Sequence, residues 1–264
     1  MPTVRILLPH PQAPVKLGVI LDGADEETAS KRHHRILRER VGARAHVVEF
    51  LRSALARHHA DADKRRRIAT LNKALKRQGV PGRSVYPANP NTQKGNVAEV
   101  VLAEYLVANE GILLPIYRLR YNPNVDQSMK GDDVLAFDLD SHPMRILVGE
   151  SKFRGTPRRE HVEEIVHGLL RSYKAKIPVS LPFVADMLYA QNKQDLARRV
   201  EECQLAIVRD KVNLDYVGLL IGSKAAPNCV TKYTPPGDPK RLAMISFGVD
   251  EPEELVADCF RKLA

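Results

Sequence analysis

Between Lys130 and Phe153 two apolar runs, Val134-Leu-Ala-Phe and Ile146-Leu-Val, flank a polar break that ends in Ser141-His142-Pro143. Runs of strand length on either side of a short polar break fold as a hairpin. A loop centred on Ser141 and His142 sets Asp133 opposite Glu150, and Pro143 leaves room for a wider turn and a register shifted by one or two residues. Side chains alternate faces along a strand, so Glu150 and Lys152 point the same way. The hairpin therefore brings two carboxylates and an amine to one end of a sheet.

Like charges packed together are costly without a cation, so the cluster makes sense as a metal site. Two carboxylates suit a hard, oxygen-seeking ion, Mg2+ or Mn2+, that keeps several of its waters. Such an ion polarises a phosphate, and a neighbouring lysine can orient or deprotonate the attacking water. Phosphodiester hydrolysis needs both. An acid-x-Lys match alone is cheap: Asp238-Pro-Lys240 is a second copy, set in a Pro/Gly loop with no strand before it. The plainer alternative for Asp133, Glu150 and Lys152 is an amphipathic hairpin steadied by a Glu–Lys pairing.

The rest of the chain reads as α/β. Residues 3–22 suggest one or two strands, Val4 to Leu8 and Lys16 to Leu21. From Glu26 to about Gln78 the pattern is helical and charged, with Val47, Val48, Phe50, Leu51 and Leu55 at helical spacing. Gly79 to Asn91 is rich in Gly, Pro and Asn and marks a boundary. It divides a mainly helical N-terminal accessory region, residues 1–85, from a second domain, residues 86–264. The second domain orders as a helix from Val97 to Ala108, a strand from Ile112 to Arg120, the hairpin, a helix from Arg159 to Lys174 and further helices from Phe183 to Val208. Two strands, Tyr216 to Ile221 and Leu242 to Phe247, and a helix from Pro252 close the chain. Within the first of these helices, Glu99 shares a face with Leu102, Ala103 and Leu106, so a buried acid in need of a partner is one reading. Asn96 as helix cap with Glu99 as its capping-box acid is the other.

A formal charge of +9 favours polyanions. The densest basic cluster is Lys64-Arg-Arg-Arg with Lys73, Lys76 and Arg77; a solvated helix face is the plainer reading, a phosphate-contacting surface the other. Lys94 and Lys130 adjoin glycines and are candidate phosphate contacts, as are Arg118 and Arg120, interleaved with Tyr117 and Tyr121. His161, Glu164 and His167 lie along one helical edge and are more simply solvated or packed. Three scattered cysteines, Cys203, Cys229 and Cys259, argue against a disulfide framework or a zinc site. The N-terminus lacks a signal-peptide pattern, and no apolar run approaches the roughly 20 residues that cross a bilayer. A cytoplasmic location is expected, with no membrane partner and no small-molecule cofactor.

Gly131-x-Asp133-Val-Leu and Val148-Gly-Glu150-Ser-Lys152-Phe, after a Glu-bearing helix, resemble the PD-(D/E)xK (restriction-endonuclease-like) nuclease superfamily. The resemblance covers about residues 95–222, lacks a Pro before Asp133, and implies an αβββαβ core. It also implies metal held by Asp133 and Glu150, water handled by Lys152, and a further acid from the first helix, the position of Glu99. The helix start at Lys94 and the two strands are in addition similar to the nuclease subunits of Hachiman anti-phage systems. That similarity implies DNA cleavage with low sequence specificity and a helicase partner docked on the N-terminal region. A stand-alone restriction- or repair-type nuclease, or a non-catalytic nucleic-acid-binding subunit of a helicase complex, are the alternatives.

Overall fold

A computed structural model describes residues 6–234, 237–261 and 263; Val4 and Arg5 of the first expected strand lie outside them. The most apolar segments form the middle of a six-stranded sheet. Strands β1 (Leu21–Glu27), β2 (His33–Glu39), β3 (Val134–Asp138), β4 (Met144–Arg154), β5 (Val212–Gly222) and β6 (Leu242–Gly248) lie in the order β1-β2-β6-β5-β4-β3. The four central strands run parallel, and β1 and β3 are antiparallel edges. Buried on both faces, β5 and β6 carry near-continuous aliphatic runs, as parallel strands under helices do.

Helices cover both faces. On one lie α1 (Lys16–Ile20), α2 (Arg44–His59), α4 (Pro90–Leu106) and α9 (Pro252–Phe260), packed over Leu147, Phe153 and Leu219. On the other lie α5 (Arg159–Ala175), α6 (Leu181–Ala190), α7 (Gln194–Val208) and α8 (Ala226–Thr231), packed over Ile146, Val148 and Leu220. α5 buries Val162, Ile165, Val166 and Leu169, a helical stripe that fixes its seat on β4 and β5. A remaining helix, α3 (Ala62–Arg77), buries nothing.

Several expectations change. Lys16–Ile20 is helical, and the strand begins at Leu21. β2 lies inside the stretch expected to be helical. Its polar residues are satisfied internally: Arg35, 1% exposed, pairs with Asp25 and donates to Tyr105 Oη at 2.6 Å, and His34 Nε2 lies 2.8 Å from Ser246 Oγ. The described part of the expected accessory region, residues 6–85, is consequently no separate helical unit, because β1 and β2 extend the common sheet and α2 shares the core under α4 and α9. Nor is Ile112–Arg120 a strand. It makes one bridge, Leu113 to Phe137, and then a 3-10 turn at Arg118–Tyr121. Pro115 offers no N–H to continue a ladder. Finally, Asn89, not Asn96, caps α4, so Glu99 sits mid-helix and the capping-box reading falls.

Candidate active site

The hairpin register places Val134 opposite Gly149, and pairing ends at Asp138 and Arg145, leaving a loop wider than two residues. Asp133 lies one step beyond the ladder, its N–H donating to Gly149 O at 3.0 Å. From this strand end its carboxylate hooks across β4: Oδ2 accepts from Ser151 N and Ser151 Oγ, each at 2.9 Å. Alternation turns Glu150 and Lys152 towards α5, and Lys152 Nζ donates to Glu150 Oε1 at 2.7 Å. Gly168 of α5 makes room for this acid, since a Cβ there would lie 2.5 Å from Glu150 Cδ. Arg171, one turn on, brings Nη2 to 3.8 Å from Glu150 Oε2.

From the opposite face α4 contributes Glu99. Arg118, carried in by the 3-10 turn, grips both of its oxygens, at 3.3 and 2.7 Å, and reaches Asp133 Oδ1 at 3.2 Å. The arginine expected to face phosphate is thus pinned between carboxylates. Glu99, expected as a metal ligand, has both oxygens engaged by it. Arg120 turns away: its guanidinium lies 4.4 Å from the Tyr117 ring centre and donates to Arg57 O at 2.9 Å, so it is no part of the cleft lining. Tyr117 packs on His58 and Tyr121 on Phe183. His161 accepts from the Arg158 N–H, Glu164 pairs with Arg154, and Asp238 of the second acid-x-Lys match holds Arg32.

A cleft of about 720 Å³ collects these groups, lined by Lys94, Glu99, Arg118, Lys130, Asp133, Glu150, Lys152 and Arg171 among others. Lys94 is tied to Glu253 of α9 at 2.6 Å, whereas Lys130 makes no ion pair with any described residue. The electrostatics are unbalanced. Burial, then the charge of Asp133, pushes Glu99 up to about 7 despite Arg118. Burial and Asp133 likewise push Glu150 up to about 7, against the pull of Lys152. Arg118 is buried too, but three carboxylates beside it hold it charged. Arg118 pairs with Glu99 and Asp133, and Lys152 and Arg171 with Glu150, yet burial and the charge of Asp133 still hold Glu99 and Glu150 well above the ordinary carboxylate range.

Hard oxygen donors short of positive charge suit a divalent cation. Among the described residues no three acidic, histidine or cysteine side chains are grouped as a ready ligand set. An Mg2+-like ion does not require one, because one or two carboxylates suffice when water and phosphate complete its shell.

Support for the site comes from a residue the hairpin pattern did not single out. Asp132, buried, accepts from Ser172 Oγ at 2.5 Å and from Ser180 N at 2.8 Å, while its own N–H donates to Ser180 Oγ at 2.8 Å. This clamps the start of β3 to the corner between α5 and α6. Gly131 before it has φ +113°, and a Cβ would meet Ser180 Oγ at 2.6 Å, so the clamp needs glycine. The doubled Asp after Gly was the available signal.

A sequence model of the HamA family matches residues 18–263. The Hachiman protein HamA of Bacillus cereus is 32% identical over 246 residues, covering 91% of this chain and 88% of that protein. The chain belongs to the HamA family. The match to the HamA model begins inside α1 and runs through α9, so β1, β2 and α3 are as much part of it as the cleft. No described helix is long and apolar enough to cross a membrane.

Proposed function

We propose that this HamA-family protein is a metal-dependent deoxyribonuclease of the PD-(D/E)xK type, acting in Hachiman anti-phage defence under the control of a helicase partner. The observation that carries the reading is the meeting of Asp133, Glu150 and Lys152 in one charged cleft, where burial and the charge of Asp133 push Glu150 up to about 7. The order α4, bridge, β3, β4, α5, β5 is compatible with the superfamily core if the bridge at Leu113 stands for its first strand.

Asp133 and Glu150 would hold Mg2+ or Mn2+, which supplies the charge that polarises the phosphate and lowers the pKa of bound water. Lys152, hydrogen-bonded to Glu150, is placed to orient the attacking water and to meet the charge that develops on the phosphate. Ser151 fixes the Asp133 carboxylate from the main chain between those two residues. Glu99 is a positioning residue that acts through Arg118. Arg118 pairs with both Glu99 and Asp133 and would leave Asp133 free to ligate by swinging towards Glu99 alone. Lys130 and Arg171 would contact flanking phosphates. Cleavage with low sequence specificity would fit binding through phosphates, which Lys130 and Arg171 at the cleft can meet in any sequence.

The test is incubation of plasmid and linear DNA with Mg2+ or Mn2+, comparing the protein with Lys152→Ala and repeating the assay with the helicase partner present. Loss of cleavage in the variant assigns the lysine. Equal cleavage by both would remove the site assignment.

A further inference from the structure

Seven cations and one acid occupy the sixteen residues of α3, so this helix holds much of the +9 charge of the whole chain. None of its residues is buried, and no burial in the core explains its presence. It is nevertheless anchored. Asp61 caps its start through Lys64 N at 2.7 Å, and Arg65 donates to the carbonyls of Ala56 and Ala60. At the far end Asn72 holds the backbone of Arg83 by two bonds, at 2.9 and 2.8 Å, folding the return segment against the helix.

The anchoring has a direction. Lys64 Nζ donates at 2.9 Å to the carbonyl of Arg120, the residue after cleft-lining Leu119 in the 3-10 turn. Burial and the neighbouring charges of Arg83, Arg67 and Arg120 all press on the Lys64 ammonium. Cations gathered this closely repel one another and are relieved by a polyanion. Along the helix, Arg67, Lys73, Lys76 and Arg77 make no ion pair with any described residue. The helix is about 24 Å long, the span of roughly seven stacked nucleotides.

We infer that α3, with Arg83, is a phosphate-binding rail that continues the cleft and holds the backbone of the nucleic acid away from the cleaved bond. The proposal rests on the nuclease reading for the identity of the polyanion. Three aliphatic residues, Ile68, Leu71 and Leu75, also line one side of the helix. They are outnumbered by cations that spread beyond α3 to Arg83 and to the cleft edge, which favours a phosphate backbone over an apolar partner groove.

The experiment is fluorescence anisotropy with a labelled 30-base-pair duplex in chelator, so that no cleavage is needed. The protein is compared with the triple variant Arg67→Gln, Lys73→Gln, Arg77→Gln across a series of salt concentrations. These side chains are exposed and gain a good helix former, so an unchanged unfolding midpoint is expected. The expected result is at least about tenfold weaker binding and a salt slope smaller by about three, one for each lost contact. Equal affinity and slope in the two proteins would overturn the proposal, as would absence of duplex binding by the unaltered protein. Loss in the variant of binding to anionic phosphatidylglycerol vesicles or to the helicase, with duplex binding intact, would reassign the helix and overturn it as well. Failure of the nuclease reading would show separately, as absence of metal-dependent cleavage while binding in chelator still depends on α3.

Discussion

Glu99→Gln tests the charge imbalance of the cleft directly. Glu99 is 6% exposed, and its carboxyl is pushed from 4.5 up to about 7. A carboxyl whose folded pKa is raised binds its proton more tightly in the folded state than in the unfolded one. Between those two values the native protein carries more protons, so stability falls as pH rises. The contribution is full below about pH 4.5 and gone above about pH 7. Its size is at most about 3 kcal/mol, from 1.36 kcal/mol per tenfold change in proton affinity. Gln keeps the shape of the protonated acid and cannot ionise. In chelator, urea unfolding should therefore give nearly equal stabilities for the two proteins at pH 5. At pH 8 the variant should be more stable by about 2–3 kcal/mol. Comparing the two cancels every other titrating group that the substitution leaves alone. Parallel curves between pH 5 and 8, or a less stable variant at pH 8, would refute the reasoning: the pairing with Arg118 would then outweigh burial.

Three further outcomes follow from the same geometry. Gly168→Ala places a Cβ against the Glu150 carboxyl, which is the movable end of its side chain; metal-dependent cleavage should fall about 100-fold while the unfolding midpoint changes little, read by plasmid nicking and thermal melting. Asp132→Ala strips Ser172 Oγ and Ser180 N of a buried acceptor and should cost about 3 kcal/mol, seen as a melting temperature lower by roughly 6–12 °C. Ser151→Ala removes one of two bonds that hold Asp133 Oδ2 and keeps the main-chain one, so the Mg2+ concentration for half-maximal cleavage should rise severalfold with melting nearly unchanged.

The C-terminal half of the sheet was legible because its strands are aliphatic and its hairpin fixes its own register: apolar residues on either side of Ser141 and His142 admit few pairings that bury both runs. The N-terminal strand β2 was not, because His33, His34 and Arg35 read as surface residues. His34 and Arg35 are buried against Ser246 and Tyr105, partners distant in sequence that no local pattern announces, and His33 against Asp25 of the neighbouring strand β1, which was itself not expected beyond Leu21. The cleft divides along the same line. Asp133, Glu150 and Lys152 could be placed together because one hairpin carries all three. Arg118 could be recognised as a cation near the site, but not as the counter-ion of Glu99, because that pairing depends on Leu113 to Tyr121 forming a bridge and a turn instead of a strand. Had those residues paired as a strand, Arg118 would have had no reason to meet α4, and Glu99 would have been buried without a cation, at a cost of several kcal/mol. The break in the expected strand and the burial of Glu99 are therefore one feature. A variant that restores ladder pairing there, such as Pro115→Val, should loosen the Arg118–Glu99 pair and show it as a further rise in the Glu99 pKa, measured by the pH dependence of unfolding in chelator. An unchanged pH dependence in a folded variant would separate the two.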